Sequence, residues 1–412
     1  MTPVQPDATA AVAESADHPT YPMSRGCPFD PPPAASALRA VGPRRVTIWD
    51  GSHPWLFTRY DDVRVVLSDP RFSADKSRPG FPLSSGVAAA EVNVGATMLV
   101  MDGQEHAANR RMLMPEFTVR RSEERRAQIT RVVDGHLDAL ISAGSPSDFV
   151  ATVALPTALS VICELLGVPH EDAEFVRSRT ATMGMVGLTL AEATAARGEI
   201  FDYLVALIGE RDRRPREDLI SRLTARHVRS GSVTREVLAA MALLVLTAGH
   251  DTAANMMSLG VLALTQHPEQ FAYLRRDQTP ATVSQVTDEL LRYLTVVQRG
   301  IRRIATTDVE VNGHRVRAGE GVIAAIDVAN RDGDHFLQGD ELDVTAPARH
   351  HLAFGYGSHQ CIGQALARIE LEAVYGGVAR RTPGLRLATP LEAVRFKSDM
   401  AVYGVHELLV TW

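Results

Sequence analysis

A chain of 412 residues, 45% hydrophobic and 22% charged, has ordinary globular composition and enough apolar material for a large core. A formal net charge of −6 argues against a nucleic-acid binder, and three widely spaced cysteines (Cys27, Cys163, Cys361) argue against a disulfide framework and suit a reducing cytoplasm. No Gly/Ser/Pro-rich linker divides the middle, so a single domain over residues 21–412 is expected. A disordered tail over 1–20 should precede it, without the apolar run of a signal peptide or membrane anchor.

Cys27 to Pro33 is stiff and non-helical and marks entry into the fold. Val46–Ile48 and Trp55–Thr58 read as a hairpin through Asp50-Gly51, followed by a short amphipathic helix with Asp61 or Asp62 as its cap. Residues 73–98 are rich in Ser, Pro, Gly and Ala without a period, and a loop that long inside a domain is usually functional. A helix opens at Met101, and in it His106 and Arg110 stand at i and i+4 and share one face. Arg111, Arg120, Arg121, Arg125 and Arg126 follow, diluted by Glu116, Glu123 and Glu124. A docking patch and a solvated charged face are both open readings. Residues 130–230 read as mostly helical, punctuated at Gly144-Ser145-Pro146, Gly167-Val168-Pro169 and Arg214-Pro215. Thr182–Leu188 is soft and apolar, either core or the adaptable lip of a pocket.

Thr234 can cap a helix running to about Gln266, roughly 50 Å long at about 1.5 Å per residue. His250, Asp251, Thr252 and Asn255 stand in its middle. A carboxylate at mid-bilayer costs about 2.5–3.5 kcal/mol, so a buried core helix fits better than a membrane span. Ala248-Gly249-His250-Asp251-Thr252 weakens the helix, and a threonine bonding back to a carbonyl can widen the turn to admit a small ligand. Glu289 and Arg292 at i, i+3 are flanked by leucines and Tyr293, which suggests burial. Val309 to Gly313 is a hairpin signal and Val322 to Val328 a buried strand. Near the C-terminal end an extended run finishes at Phe354. It leads into a loop punctuated by Gly355 and Gly357, then Cys361, Gly363 and a helix with Leu366, Ile369 and Val374 facing inward. A cysteine at a helix start has a lowered thiol pKa and can be a nucleophile, a redox centre or a metal ligand.

Phe354-Gly355-x-Gly357-x-His359-x-Cys361-x-Gly363-x-x-Leu366-Ala367-Arg368 resembles the haem-binding loop of the cytochrome P-450 superfamily at every fixed position. The resemblance extends over about residues 25–412 and looks like the soluble actinobacterial branch. It implies a mainly α fold with a smaller β region, a single triangular domain around a long central I helix. Its cofactor would be haem b (iron protoporphyrin IX), with Cys361 as axial iron ligand. Ala248, Gly249, Asp251 and Thr252 match the I-helix motif over the haem, where Thr252 would steady dioxygen and Asp251 would relay protons. His106, Arg110, Arg303 and His359 fall on propionate contacts, and Glu289 and Arg292 on the K-helix pair. Residues in 130–230 would supply the F and G helices over the substrate.

One position departs from the pattern: Ala346 stands where the family usually has an arginine completing a triad with Glu289 and Arg292. Either Arg349 substitutes or Glu289 is under-compensated. The implied activity is a cytoplasmic, monomeric monooxygenase that inserts one atom of O2 into a small organic substrate. With no dinucleotide fingerprint in the chain, its electrons would come from a ferredoxin and an NAD(P)H-dependent ferredoxin reductase. Nothing implies a nucleic-acid or membrane partner. A haem-thiolate ligand binder or sensor is the rival, and it would not need the Asp251-Thr252 pair. Substrate contacts would come from residues 73–98, 182–190, Leu243, Leu244, Ala248, Thr295–Val297 and Met400–Tyr403, mostly apolar.

Overall fold

The helix Arg235–Gln266 is the axis on which the other elements are laid. Thr234 starts it as expected, its hydroxyl oxygen accepting the Val237 N–H. Leucine, alanine, methionine and valine occur on nearly every side, so the helix has no polar face to turn to water. Helices Leu155–Leu166, Leu190–Arg213 and Gln364–Arg381 pack along it instead. It is long and apolar enough to span a membrane, yet its flanks are buried against these neighbours. The computed structural model describes residues 18–90, 97–184 and 190–412.

A five-stranded sheet stands beside the helices in the order Arg44–Arg45, Trp55–Phe57, Gly321–Ala324, Ile301–Ala305, Phe72–Ser73. The second and third strands are parallel, with Leu56 opposite Ile323; the other pairs are antiparallel, Arg303 lying opposite Val322. The architecture is therefore mainly α with a smaller β region, as expected. Val309–Val311 and His314–Val316 form the predicted hairpin, with Asn312 and Gly313 both left-handed at φ 46° and 84°, as a two-residue turn of this hand requires.

Several local expectations are corrected. The early hairpin forms, but its ladder joins Arg44–Arg45 to Trp55–Phe57; Val46 and Ile48 are held by the single carbonyls of Pro54 and Ser52. Asp61 and Asp62 lie inside the first turn of the helix Tyr60–Ser68, and the carboxylate that accepts the Tyr60 N–H, at 2.8 Å, belongs to distant Asp332. The strand at 322 ends at Ala324, its last ladder bond being Ala325 N–H to the Phe57 carbonyl, and Ile326–Ala329 is a helical turn. Residues 351–354 form a turn closed by Gly355 N–H to Leu352 O, not an extended run. The central helix stays continuous through Gly249 to Thr252, without the widening its composition suggested.

Residues 18–20, expected within the tail, are instead tied to the sheet region, Pro19 O and Tyr21 N–H bracketing Thr47. Residues 1–17 lie outside the described residues, as do 91–96 and 185–189 of the expected substrate segments.

Candidate functional site

The cysteine loop holds its own shape. Phe354 O accepts the Cys361 N–H at 2.8 Å, and Gly355 and Gly357 turn the chain at φ 69° and 75°. At Gly357 a Cβ would lie 2.5 Å from the Leu67 carbonyl oxygen, so glycine is required by space as well as by φ. A Cβ at Gly363 would meet only the Cys361 sulfur, at 4.0 Å, which leaves the ground beside the sulfur open.

Cys361 is exposed in surface area although it lies deep within the protein, as expected of a side chain on the wall of an interior cleft. The expected lowering of its thiol pKa is overturned: burial pushes it up, against the Gly363 N–H and the charges of Arg110 and Arg368. The helix begins only at Gln364, so its dipole starts one turn too late to dominate.

Four cationic or imidazole side chains surround this loop. His106 is buried and stacks on His359 with ring centroids 4.0 Å apart. Arg110, one turn on, donates to the Gln360 carbonyl at 2.6 Å, next to the cysteine. Arg303 reaches in from the sheet; it is buried, its guanidinium donates to the Arg302 carbonyl, and burial holds its pKa down to about 10. Burial, then Arg303 and His106, push His359 down to about 3. Asp102, which sequence reasoning missed, is the nearby acid: it sits 4.0 Å from His359 and accepts the Ala74 N–H and the Ser73 hydroxyl. Arg110 and Arg303 form no ion pair with any described carboxylate. Two such cations beside a thiol suit a prosthetic group that brings its own carboxylates.

On the central helix a window opens in an otherwise buried surface. Met241–Leu243 and Ala253–Leu264 are buried, but Ala248 is exposed and Leu244, Asp251 and Thr252 are half-buried. Leu244, Ala248 and Thr252 stand four residues apart and form one stripe. Thr252 donates its hydroxyl proton to the Ala248 carbonyl at 2.7 Å. Gly249, expected at the cofactor, faces elsewhere: a Cβ there would lie 3.0 Å from Ile162, so it serves packing against the Leu155–Leu166 helix. Phe354 is half-buried, with the Arg368 guanidinium 4.6 Å above its ring.

Among the expected substrate contacts, Leu243 and Tyr403 are buried in the core, whereas Leu244, Val296, Val297 and Met400 are half-buried. Thr295 is spent as a left-handed helix end, accepting the Asn330 amide at 2.7 Å.

The Ala346 question is answered by Glu289. Its Oε2 accepts Arg292 Nε at 2.7 Å, and its Oε1 accepts Arg292 Nη2 at 2.8 Å and the Asp343 N–H at 2.9 Å. Arg349 is exposed and does not substitute; a backbone N–H takes the place of the missing guanidinium.

A cysteine loop flanked by two guanidiniums without carboxylate partners, and a central helix with a polar window, fit the class of haem proteins in which a thiolate meets the iron. The comparisons agree. The sequence model of the family "Cytochrome P450" matches residues 181–378. Cytochrome P450-SU2 of Streptomyces griseolus is 46% identical over 396 residues, 95% of this chain and 97% of that protein. The vitamin D3 dihydroxylase of the same organism is 42% identical, covering 98% and 99%. The crystal structure of GfsF, a cytochrome P450 of Streptomyces halstedii, superposes with a TM-score of 0.91 at 42% identity, covering 96% of this chain and all of that one. The chain belongs to the cytochrome P450 family. It is a P450 monooxygenase, with haem as cofactor and O2 and a small organic molecule as substrates.

Proposed function

We propose that this monooxygenase hydroxylates or epoxidises a hydrophobic or amphipathic small molecule, of secondary metabolism or xenobiotic origin, in the cytoplasm and as a monomer. Haem, when bound, would supply the O2 chemistry: with two electrons and two protons, one oxygen atom would enter the substrate and the other would leave as water. Cys361 would hold the iron as thiolate; Arg110, Arg303, His106 and His359 would hold the propionates. The single observation carrying this reading is a pair of guanidiniums without a carboxylate partner at one loop, Arg110 beside the accessible Cys361 and Arg303 beside His359.

Substrate would rest against Leu244, Ala248, Val296, Val297 and Met400, an apolar wall that binds by area and leaves polar specificity to few groups. The likeness to a vitamin D3 dihydroxylase favours a bulky apolar substrate. Thr252 donates its O–H to the Ala248 carbonyl, so its lone pairs would accept a hydrogen bond from a proton-bearing group in the cleft rather than donate one. Asp251, in the same window, would pass protons inward. This pair favours oxygenation over the binder or sensor reading.

Electrons would arrive from a ferredoxin and its NAD(P)H-dependent reductase. A groove of about 580 Å³ lies on the cysteine side, lined by Arg110, Met114, Phe117, Arg126, Cys361 and Arg368, and would receive the ferredoxin. The docking-patch reading is thereby narrowed, because Arg120 and Arg121 pair with Glu124 and Arg126 pairs with Glu123 and Glu372.

The test is spectroscopic. Reduced holoprotein with carbon monoxide should show the red-shifted Soret band of thiolate ligation, and Cys361→His should abolish it while retaining haem. A thiolate spectrum in that variant refutes the assignment. Titrating a compound library against the haem spin state would then find the substrate.

A further inference from the structure

The C-terminal hairpin, closed where Phe396 pairs with Val405, is tied firmly to residues 296–299. The Gln298 amide donates to Lys397 O at 3.0 Å and Met400 O at 2.6 Å, Arg299 donates to Asp399 O, and Tyr403 N–H meets Val296 O at 2.7 Å. Two of its residues act on one carboxylate of the central helix. Lys397 Nζ lies 3.9 Å from Asp251 Oδ1, and its side chain is 12% exposed against 39% for Asp251. Gly404 acts by what it lacks: a Cβ there would lie 1.9 Å from Asn255 Oδ1. Asn255 can occupy that space only beside glycine, and from it donates its amide to Asp251 Oδ1 and to Asp251 O, each at 2.8 Å.

A chance surface ion pair would use two mobile side chains and contribute little. Here the lysine is enclosed, the asparagine is buried, and the lysine's charge and the asparagine's hydrogen bond converge on the same oxygen. No described side chain bonds Asp251 Oδ2.

We propose that this hairpin sets the orientation of Asp251: Lys397 and Asn255, the latter admitted by Gly404, clamp Oδ1 and leave Oδ2 as the oxygen that exchanges protons with Thr252's site. Lys397, Asn255 and Gly404 are thus positioning residues. The inference rests on the proton-relay reading above.

The test uses holoenzyme with reconstituted redox partners and a substrate identified by spin-state titration. Lys397→Met should lower product formation about ten- to a hundredfold, the upper end being the scale of effect when a reacting group is misplaced by about an ångström. Lys397→Arg, which keeps the charge, should restore most of it. Gly404→Ala should slow turnover in the same direction although it removes no charge and touches no substrate; if it fails to fold, Asn255→Ala takes its place. In thermal melts of the holoprotein, adding Lys397→Met to Asp251→Asn should lower the midpoint no further, since the pair is already broken. Additive melting shifts, or Lys397→Met and the Gly404 or Asn255 variant both within twofold of wild type while Asp251→Asn is slow, overturn the clamp. If Asp251→Asn is itself as fast as wild type, the relay reading fails instead.

Discussion

Thr252 shows how one hydrogen bond assigns a direction to a side chain. Its proton is committed to the Ala248 carbonyl, so the hydroxyl can only accept from whatever occupies the cleft. Thr252→Ala should leave haem content, substrate affinity and melting nearly unchanged. NAD(P)H would still be oxidised, with hydrogen peroxide released in place of product, and product per NAD(P)H should fall about tenfold or more. Full coupling in that variant on the true substrate would move the accepting role to the substrate's own hydroxyl. The residues of this site were legible in the sequence because their spacing is local: Thr252 sits four residues after Ala248, and Cys361 sits inside a run of fixed glycines. Asp102, Gly404 and Lys397 were not, because their meaning comes from contacts between segments far apart in the chain. Gly249 misled for the opposite reason, its local motif being satisfied while its open side faces Ile162.

At the scale of elements, two devices lock the helices around the site. Tyr375, on the helix that follows the cysteine, donates its buried hydroxyl to the Met256 carbonyl at 2.7 Å, and a Cβ at Gly260 would lie 2.2 Å from that oxygen. Gly260→Ala should therefore destabilise the fold by roughly 1–3 kcal/mol through overpacking. Gly135→Ala, on an exposed helical face with open space around it, should stabilise by up to about 1 kcal/mol. Urea melts of the two variants should move in opposite directions; equal shifts would show that the helix contact yields. The second device is the buried Glu289–Arg292 pair, whose guanidinium also donates to the carbonyls of Asn330, Gly339 and Glu341. Arg292→Ala strands Glu289 and should cost about 3–5 kcal/mol. Ala346→Arg should change stability by no more than about 0.5 kcal/mol, because both Glu289 oxygens already have donors. A rise in melting midpoint corresponding to more than that would mean the Asp343 N–H is a poor stand-in for the missing arginine. The sequence raised this question and could not answer it, since a backbone donor leaves no mark in residue types.

For the molecule as a whole, the site couples cofactor binding to folding through charge. Burial keeps His106 and His359 neutral, but Arg110 and Arg303 stay charged without a paired carboxylate, and their desolvation is a cost of the haem-free fold. Haem carboxylates would remove the cost and add charge-assisted hydrogen bonds, so haem stabilises the native state by an amount set by its affinity and concentration. The haem-free protein should melt well below the holoprotein, with each tenfold in affinity contributing about 1.4 kcal/mol to the gap. Arg303→Leu separates the two terms. It deletes a buried cation while keeping apolar contact, so the haem-free form should become more stable or stay level. The holoprotein should lose stability, because one carboxylate partner is gone, and the gap between the two midpoints should narrow. Added phosphate should stabilise haem-free wild type more than haem-free Arg303→Leu, since an anion can pair with the buried guanidinium only where it remains. If the gap is unchanged and phosphate acts equally on both proteins, Arg303 is balanced within the fold and takes no part in holding the cofactor.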